Sequence, residues 1–422
     1  MMREMKNSGV EWIGDIPSEW KIIKNKYLLN SLYSGGTPSS ANEDFYSENG
    51  VAFVSISDMS KTKYIYETKK KLTTLGLQDK NLKMLPIGTI LYSIYATIGE
   101  IAELKVEATI SQALLALNIN ENIDKQYYKY NLTAMKDYVF SNANGNTQFN
   151  LNAEKVWNFI LVLPPLLEQK RIADFLDSKV TEIDKIISET KASIENYKEY
   201  KQSVITEAVT KGLDKNVPMK DSGIEYIPII PLHWKTEKGK YILSLLSRPV
   251  KKDDDVITCF RDGEVTLRKN RREDGFTFSL KEIGYQGIEI GDLVVHGMDG
   301  FAGAIGISDS RGKASPVLNV LGTDYNKRYI MYYLRSLAFN NIFTALSTGI
   351  RVRSCDLRWN KLAELMYIIP PIDEQEKIAD YINKKCLKID KVVSEKEKLI
   401  TNLEDYKKSL IYEYVTGKKA VE

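Results

Sequence analysis

The side chains best suited to chemistry in this sequence are cations and amides. Their spacing suits contact with a polyanion better than bond making. Arg351, Arg353 and Arg358 lie close together with Asp356 as the one opposing acid. Arginine clamps phosphate and reads guanine bidentately, so this cluster is a candidate nucleic-acid contact. Lys61, Lys63, Lys69, Lys70 and Lys71 form a second basic stretch suited to phosphate. Asn144, Asn146, Gln148 and Asn150 form an amide run. Asn and Gln pair with adenine in a major groove, and a plain polar loop is the alternative. Arg248, Arg261, Arg268, Lys269, Arg271 and Arg272 are more numerous, within one stretch of the second half. Acids interleave with them, so an ordinary salt-bridged surface is the alternative there.

No catalytic constellation accompanies these groups. The sequence has no GxxxxGK[ST] phosphate cradle, no GxSxG nucleophile elbow and no HExxH. Residues 300–306 are glycine-rich but lack the G-x-G spacing, and they read as hairpin geometry. Asp253, Asp254 and Asp255 could be imagined as a metal site, yet they follow Lys251 and Lys252 in a polar stretch and read as a solvated turn. The three cysteines, Cys259, Cys355 and Cys386, are far apart, and His233 and His296 are too few for a His-rich metal site. Binding is expected rather than catalysis, with no metal and no cofactor in this chain.

The elements that must position these groups follow from length and pattern. At 422 residues the chain has room for two to four domains. Hydrophobic residues make up 43% and charged residues 27%, which excludes wholesale disorder. The net charge of +3 neither demands nor forbids nucleic acid, so any basic patch must be local. The 25 tyrosines suit either half-buried core or flat contact surface. No apolar signal region follows Met1, and no run of 18 apolar residues exists. A soluble, cytoplasmic, reducing-compartment protein with no membrane association is expected.

The strongest pattern is an internal repeat. Residues 8–13 (SGVEWI) and 16–21 (IPSEWK) return at 222–227 (SGIEYI) and 230–235 (IPLHWK). Residues 164–174 (PPLLEQKRIAD) return at 370–380 (PPIDEQEKIAD), and 22 of the 48 positions from 164 to 211 are identical in the second copy. The chain is two tandem halves.

The segment after each Pro-Pro must be a helix, because Pro-Pro sets a helix start and cannot lie inside one. Glu168 and Glu374 then sit in the first turn, where the helix dipole favours a carboxylate. Apolar positions recur in steps of four and three: Leu176, Val180, Ile183, Ile187, Ile194 and Tyr197 in the first copy, and Ile382, Ile389, Val393, Ile400, Leu403 and Leu410 in the second. This is a heptad seam, interrupted by Lys201, Lys396 and Lys407. Each helix would be roughly 60 Å long, with Gly212 and Gly417 as stops. Because the halves are equivalent, the expected arrangement is a pseudo-twofold antiparallel coiled coil with a variable block at each end. A coiled-coil homo-oligomer is the rival.

Residues 1–163 and 213–369 are the variable blocks, and residues 164–212 and 370–422 are the long-helix segments. Both blocks read as mixed α/β with short strands, at 50–56, 86–94 and 96–102 in the first and at 288–296 and 303–307 in the second. The fold class is therefore α+β, with two mixed α/β domains separated by two long antiparallel helices in a tandem repeat.

These features together resemble one family, the DNA-specificity (HsdS) subunits of type I restriction-modification systems. The doubled 8–20 and 222–234 openings carry the resemblance, with the doubled PPxxEQxxIAD segments, their helices, the strand at 88–93 and Thr97-Ile98-Gly99. It implies two target recognition domains, each reading half of a bipartite site in double-stranded DNA, with the helices as spacer. It implies docking of two modification (methyltransferase) subunits and association with restriction (motor and nuclease) subunits. S-adenosylmethionine, ATP and magnesium would then belong to those partners. The candidate DNA contacts are Lys63, Lys70, Ser93, Tyr95, Thr97, Asn146, Gln148, Arg248, Arg261, Arg271, His296, Arg351, Arg353 and Arg358. One departure stands out: where the first block has Ser93 to Thr97, the second has His296-Gly297-Met298-Asp299-Gly300. The competing functions are a stand-alone nuclease using Asp253–Asp255, which would cut DNA with magnesium, and a coiled-coil adapter with no salt-sensitive DNA affinity.

Overall fold

A computed structural model describes residues 3–59, 62–142, 151–271, 282–346 and 356–421. The chain forms two compact units, Met1–Glu189 with Leu399–Glu422 (unit 1) and Thr190–Lys398 (unit 2). These units cut across the four blocks laid out from the sequence. Each holds one variable block together with part of both long helices.

In unit 1, strands β1 (Leu29–Ser34), β2 (Tyr64–Ile65), β3 (Ile90–Ser93), β4 (Ile101–Leu104) and β5 (Leu114–Ile119) form a sheet in the order β1-β5-β3-β4-β2. β3 is antiparallel to β4 and β5, and β2 joins β4 in parallel. Every residue of β3 is buried, which explains its unbroken apolar start. Beside it, Tyr46–Val54 pairs with Ala108–Ile110 and Lys70–Leu72.

In unit 2, β6 (Ser244–Leu245), β7 (Leu293–His296), β8 (Ile305–Ile307) and β9 (Leu318–Gly322) run β6-β9-β7-β8. This is the order β1-β5-β3-β4 repeated. The register agrees as well: Ser93 pairs with Leu114, and His296 pairs with Leu318. Residues 300–306 lie in the antiparallel β7–β8 hairpin, as their glycine spacing suggests.

The helices also recur. Each sheet is followed by a capped helix, α1 (Lys125–Ala134) in unit 1 and α3 (Lys327–Phe339) in unit 2. The long helices are α2 (Leu166–Lys211) and α4 (Ile372–Val415), both starting just after Pro-Pro. Gly212 and Gly417 follow at φ +76° and +72°, the left-handed region where glycine is unstrained.

The heptad seam is used within both units. In unit 1, Leu176, Val180, Ile183, Ile187 and Leu410 are buried, and Ile400 and Leu403 pack half-buried against them. In unit 2, Ile194, Ile382 and Ile389 are buried, while Tyr197 and Val393 are half-buried. The helix segments run antiparallel inside each unit. Phe175 stacks on Tyr414 at 4.5 Å while Asp184 meets Lys407; Tyr197 lies under Lys396 while Lys201 meets Asp390.

The doubled Pro-Pro-x-x-Glu-Gln motif is a structural clamp. The indole N–H of Trp20 donates to Glu168 at 2.9 Å, and that of Trp234 donates to Glu374 at 3.1 Å. Gln169 accepts from the Asp124 N–H at the start of α1 and donates to the Pro164 carbonyl. Gln375 does the same with Asn326 and Pro370. Asp124 and Asn326 are themselves the N-caps, so one buried glutamine ties strand, helix start and cap together. The first-turn glutamates therefore serve the indoles as well as the helix dipole.

Candidate nucleic-acid interface

The turn after the central strand differs between the units. In unit 1, the Ser93 hydroxyl is fully buried, donates to the Thr97 carbonyl and accepts from the Glu100 N–H. Ser93 shapes the turn and does not face solvent, so the expected contact at this position is not on the surface. Tyr95 and Thr97 stand exposed at the tip, beside Ala96 at φ +57°.

In unit 2 the same task falls to His296. Its Nδ1 accepts from the N–H groups of Met298 at 3.2 Å and Asp299 at 2.9 Å, which assigns the ring proton to Nε2. Burial pulls the imidazole pKa below its ordinary value, although Asp299 opposes this. The glycines that mark the departure have a packing cause. A Cβ on Gly297 would lie 2.9 Å from the Val317 carbonyl oxygen, and one on Gly300 would lie 2.7 Å from Leu357.

His296 and Asp299 open onto a cleft of about 730 Å³, shared with the hairpin of Ile257–Cys259 and Val265–Leu267. Three arginines line it, and each is engaged. Arg261 pairs with Asp299 at 2.8 Å. Arg271 pairs with Asp262 at 2.6 Å and lies 4.3 Å from the Phe260 ring. Arg268 donates to Thr258 at 3.3 Å.

Arg248 is bound to the buried Asp292. Arg311 joins Asp254 and Glu289. Asp254 is therefore buried in an ion pair, a correction to the solvated turn expected at 253–255. Its carboxylate accepts from Lys251 N–H, which does make the turn. Arg358 is exposed, pairs loosely with Asp356 and precedes the short helix Trp359–Glu364.

In unit 1, Lys69, Lys70 and Lys71 line a cavity of about 560 Å³, with Lys70 over the Tyr46 ring at 5.5 Å. Lys63 is instead bound to Asp184 on α2 at 2.9 Å. The structure thus gathers Arg261, Arg271 and His296 at one cleft and places Lys70 at another. Asn146, Gln148, Arg351 and Arg353 lie outside the described residues. Sequence reasoning did not single out Phe260 or Thr258, which hold Arg271 and Arg268; no periodicity marks them. Among the described residues, no group of three or more His, Cys, Asp or Glu side chains could hold a metal, and no helix is long and apolar enough to cross a membrane.

Residues 17–196 match the family model for the type I restriction modification DNA specificity domain. The specificity subunit of the type I restriction enzyme EcoR124I/EcoR124II of Escherichia coli is 22% identical over 214 residues, 49% of this chain and 46% of that protein. The MjaIX specificity subunit of Methanocaldococcus jannaschii is 26% identical over 208 residues, 48% of this chain and 45% of that protein. The chain thus spans about half the length of the curated relatives it matches. A chain from a solved structure of complex assembly and conformational transition of the type I R-M system aligns over 96% of this chain and 99% of its own, with TM-score 0.69 and 14% identity. This likeness in fold extends over both units.

Proposed function

We propose that this chain is the DNA-specificity subunit of a type I restriction-modification complex. It binds double-stranded DNA and carries no catalytic centre of its own. Each unit reads one half of a bipartite target, while α2 and α4 form the spacer and dock two modification subunits. Restriction subunits join the same complex. S-adenosylmethionine, ATP and magnesium are assigned to those partners, and the complex works in the cytoplasm.

One observation carries this reading. Two units share strand order and register, yet the equivalent turn exposes Tyr95 and Thr97 in one and opens His296 and Asp299 onto a cleft in the other. A constant scaffold with a changed polar side chain at an equivalent turn is what two readers of different sequences require.

The test is co-expression with the modification subunit encoded in the same genome, followed by mapping of N6-methyladenine in host DNA. The expected result is one bipartite motif with a fixed gap, of which only one half changes when residues 1–163 are exchanged. An assembled complex that adds no methyl groups would overturn the proposal.

A further inference from the structure

In the unit 2 cleft a hydrogen-bond donor and an acceptor stand side by side. The two backbone N–H groups on Nδ1 leave His296 with its proton on Nε2. His296 lines the cleft, and its Nε2 lies 3.9 Å from the nearer Asp299 oxygen, beyond hydrogen-bond distance. Among the described residues Nε2 makes no hydrogen bond. Asp299 accepts from Arg261 at 2.8 Å, and a carboxylate has acceptor capacity to spare after that bond. Both side chains are held: His296 by its own turn, Asp299 by Arg261.

A fixed donor beside a fixed acceptor discriminates among bases. On the major-groove edge, adenine offers the N7 acceptor next to the N6 amino donor. Guanine offers two acceptors, and its O6 would face the Asp299 carboxylate. Thymine offers one acceptor and a methyl group, and cytosine one donor. Only adenine, on a single base, complements the pair at both points.

We propose that His296 and Asp299 together read the N7/N6 edge of one adenine in the half-site served by unit 2. His296 Nε2–H donates to N7, and Asp299 accepts from the N6 amino group. Phe260 and Leu318 give the cleft apolar wall, and Arg261 and Arg268 supply positive charge for the adjacent backbone. The assignment rests on the specificity-subunit reading.

The experiment uses the full chain in complex with its modification subunits, after methylation mapping has fixed the motif. Each adenine of each half-motif is replaced in turn by 7-deazaadenine, which lacks N7, or by purine, which lacks the amino group. Binding is measured by titration. At one adenine of one half-motif, each replacement should weaken the wild-type complex roughly 5- to 150-fold. The 7-deaza loss should vanish in His296→Asn, whose side-chain oxygen can still accept the turn N–H groups. The purine loss should vanish in Asp299→Ala. Losses of the same size in wild type and both variants would overturn the adenine assignment while leaving the specificity reading intact. A complex with neither methylation nor salt-sensitive DNA binding would overturn both.

Discussion

Lys407 donates to Asp184 at 2.7 Å, and the repeat turns this pair into its mirror: Lys201 donates to Asp390 at 2.7 Å. Lys407 is the second copy of Lys201, and Asp390 is the second copy of Asp184. Each copy thus gives its aspartate to one unit and its lysine to the other. Two of the three lysines that interrupt the heptad seam, Lys201 and Lys407, are met by a carboxylate from the other copy's helix, while Lys396 lies over the Tyr197 ring. Burial works to raise the Asp184 carboxyl, but hydrogen bonds from Lys407 and Lys63 outweigh it and hold it below the ordinary aspartate value. Asp184→Lys should destabilise the protein in urea unfolding, and adding Lys407→Asp should restore part of the loss. A coupling of about 0.5–1 kcal/mol is expected for so accessible a pair. Strict additivity of the two changes would show that the pair contributes nothing.

The same exchange governs two buried tyrosines. The Tyr127 hydroxyl lies 3.2 Å from the Val162 carbonyl oxygen and 3.0 Å from that of Val415; Tyr329 stands equally to Val209 and Ile368. Each therefore serves a strand of its own copy and a helix end of the other. Tyr127→Phe and Tyr329→Phe should each cost about 1–3 kcal/mol, because buried carbonyls lose their donor. Unfolding midpoints shifted at one site and not the other would separate the two units energetically.

Gly417 and Gly212 end equivalent helices in unequal surroundings. A Cβ on Gly417 would lie 2.4 Å from Pro17 and 2.9 Å from Trp20, whereas one on Gly212 meets Glu374 and Trp234 at 3.2 Å. Both alanine variants pay for a positive φ, about 1–2 kcal/mol. Gly417→Ala should lose about 1–3 kcal/mol more by overpacking. Thermal unfolding of the two variants side by side checks the order.

Glu103 sets a pH window. It is buried and accepts from Lys105 at 2.8 Å and Lys129 at 3.0 Å, with Lys125 at 3.6 Å. Burial pushes its carboxyl up, but the lysines outweigh this and hold it at about 2. A depressed acid stabilises the fold above its unfolded value and loses that contribution as pH falls through the folded one. Unit 1 should therefore weaken between about pH 4.5 and 2. Glu103→Gln should cost on the order of 1–2 kcal/mol at neutral pH and flatten the acid limb. An acid limb unchanged in the variant would assign that weakening to other carboxylates.

The parts legible in the sequence are those with a short period or a copy. The heptad steps and the Pro-Pro stops place α2 and α4, and the repeat predicts that both turns after the central strand are equivalent. Partner choice was not legible. Arg248 finds Asp292, 44 positions away, and Arg311 finds Asp254, 57 positions away. Composition shows that the acids balance the arginines, but only the sheet register says which acid each one meets. The resemblance puts Ser93 among the DNA contacts, yet turn geometry consumes its hydroxyl. The repeat marks Gln169 and Gln375 through their shared motif, but nothing in it shows that they clamp Asp124 and Asn326.

Lys69, Lys70 and Lys71 give the DNA-binding proposal a test that does not depend on the target sequence. They lie along one strand and its approach, at the cavity with Tyr46 in unit 1. Lysine contributes to DNA binding by neutralising phosphate, and each neutralised phosphate adds about 0.9 to the slope of log affinity against log salt. The triple alanine variant, assembled with its modification subunits, should therefore bind more weakly at every sequence. Its salt slope should be shallower by up to about 2.7, with the methylated motif unchanged. A changed motif would make these lysines base readers. An unchanged slope would place the backbone contacts of unit 1 elsewhere on its surface.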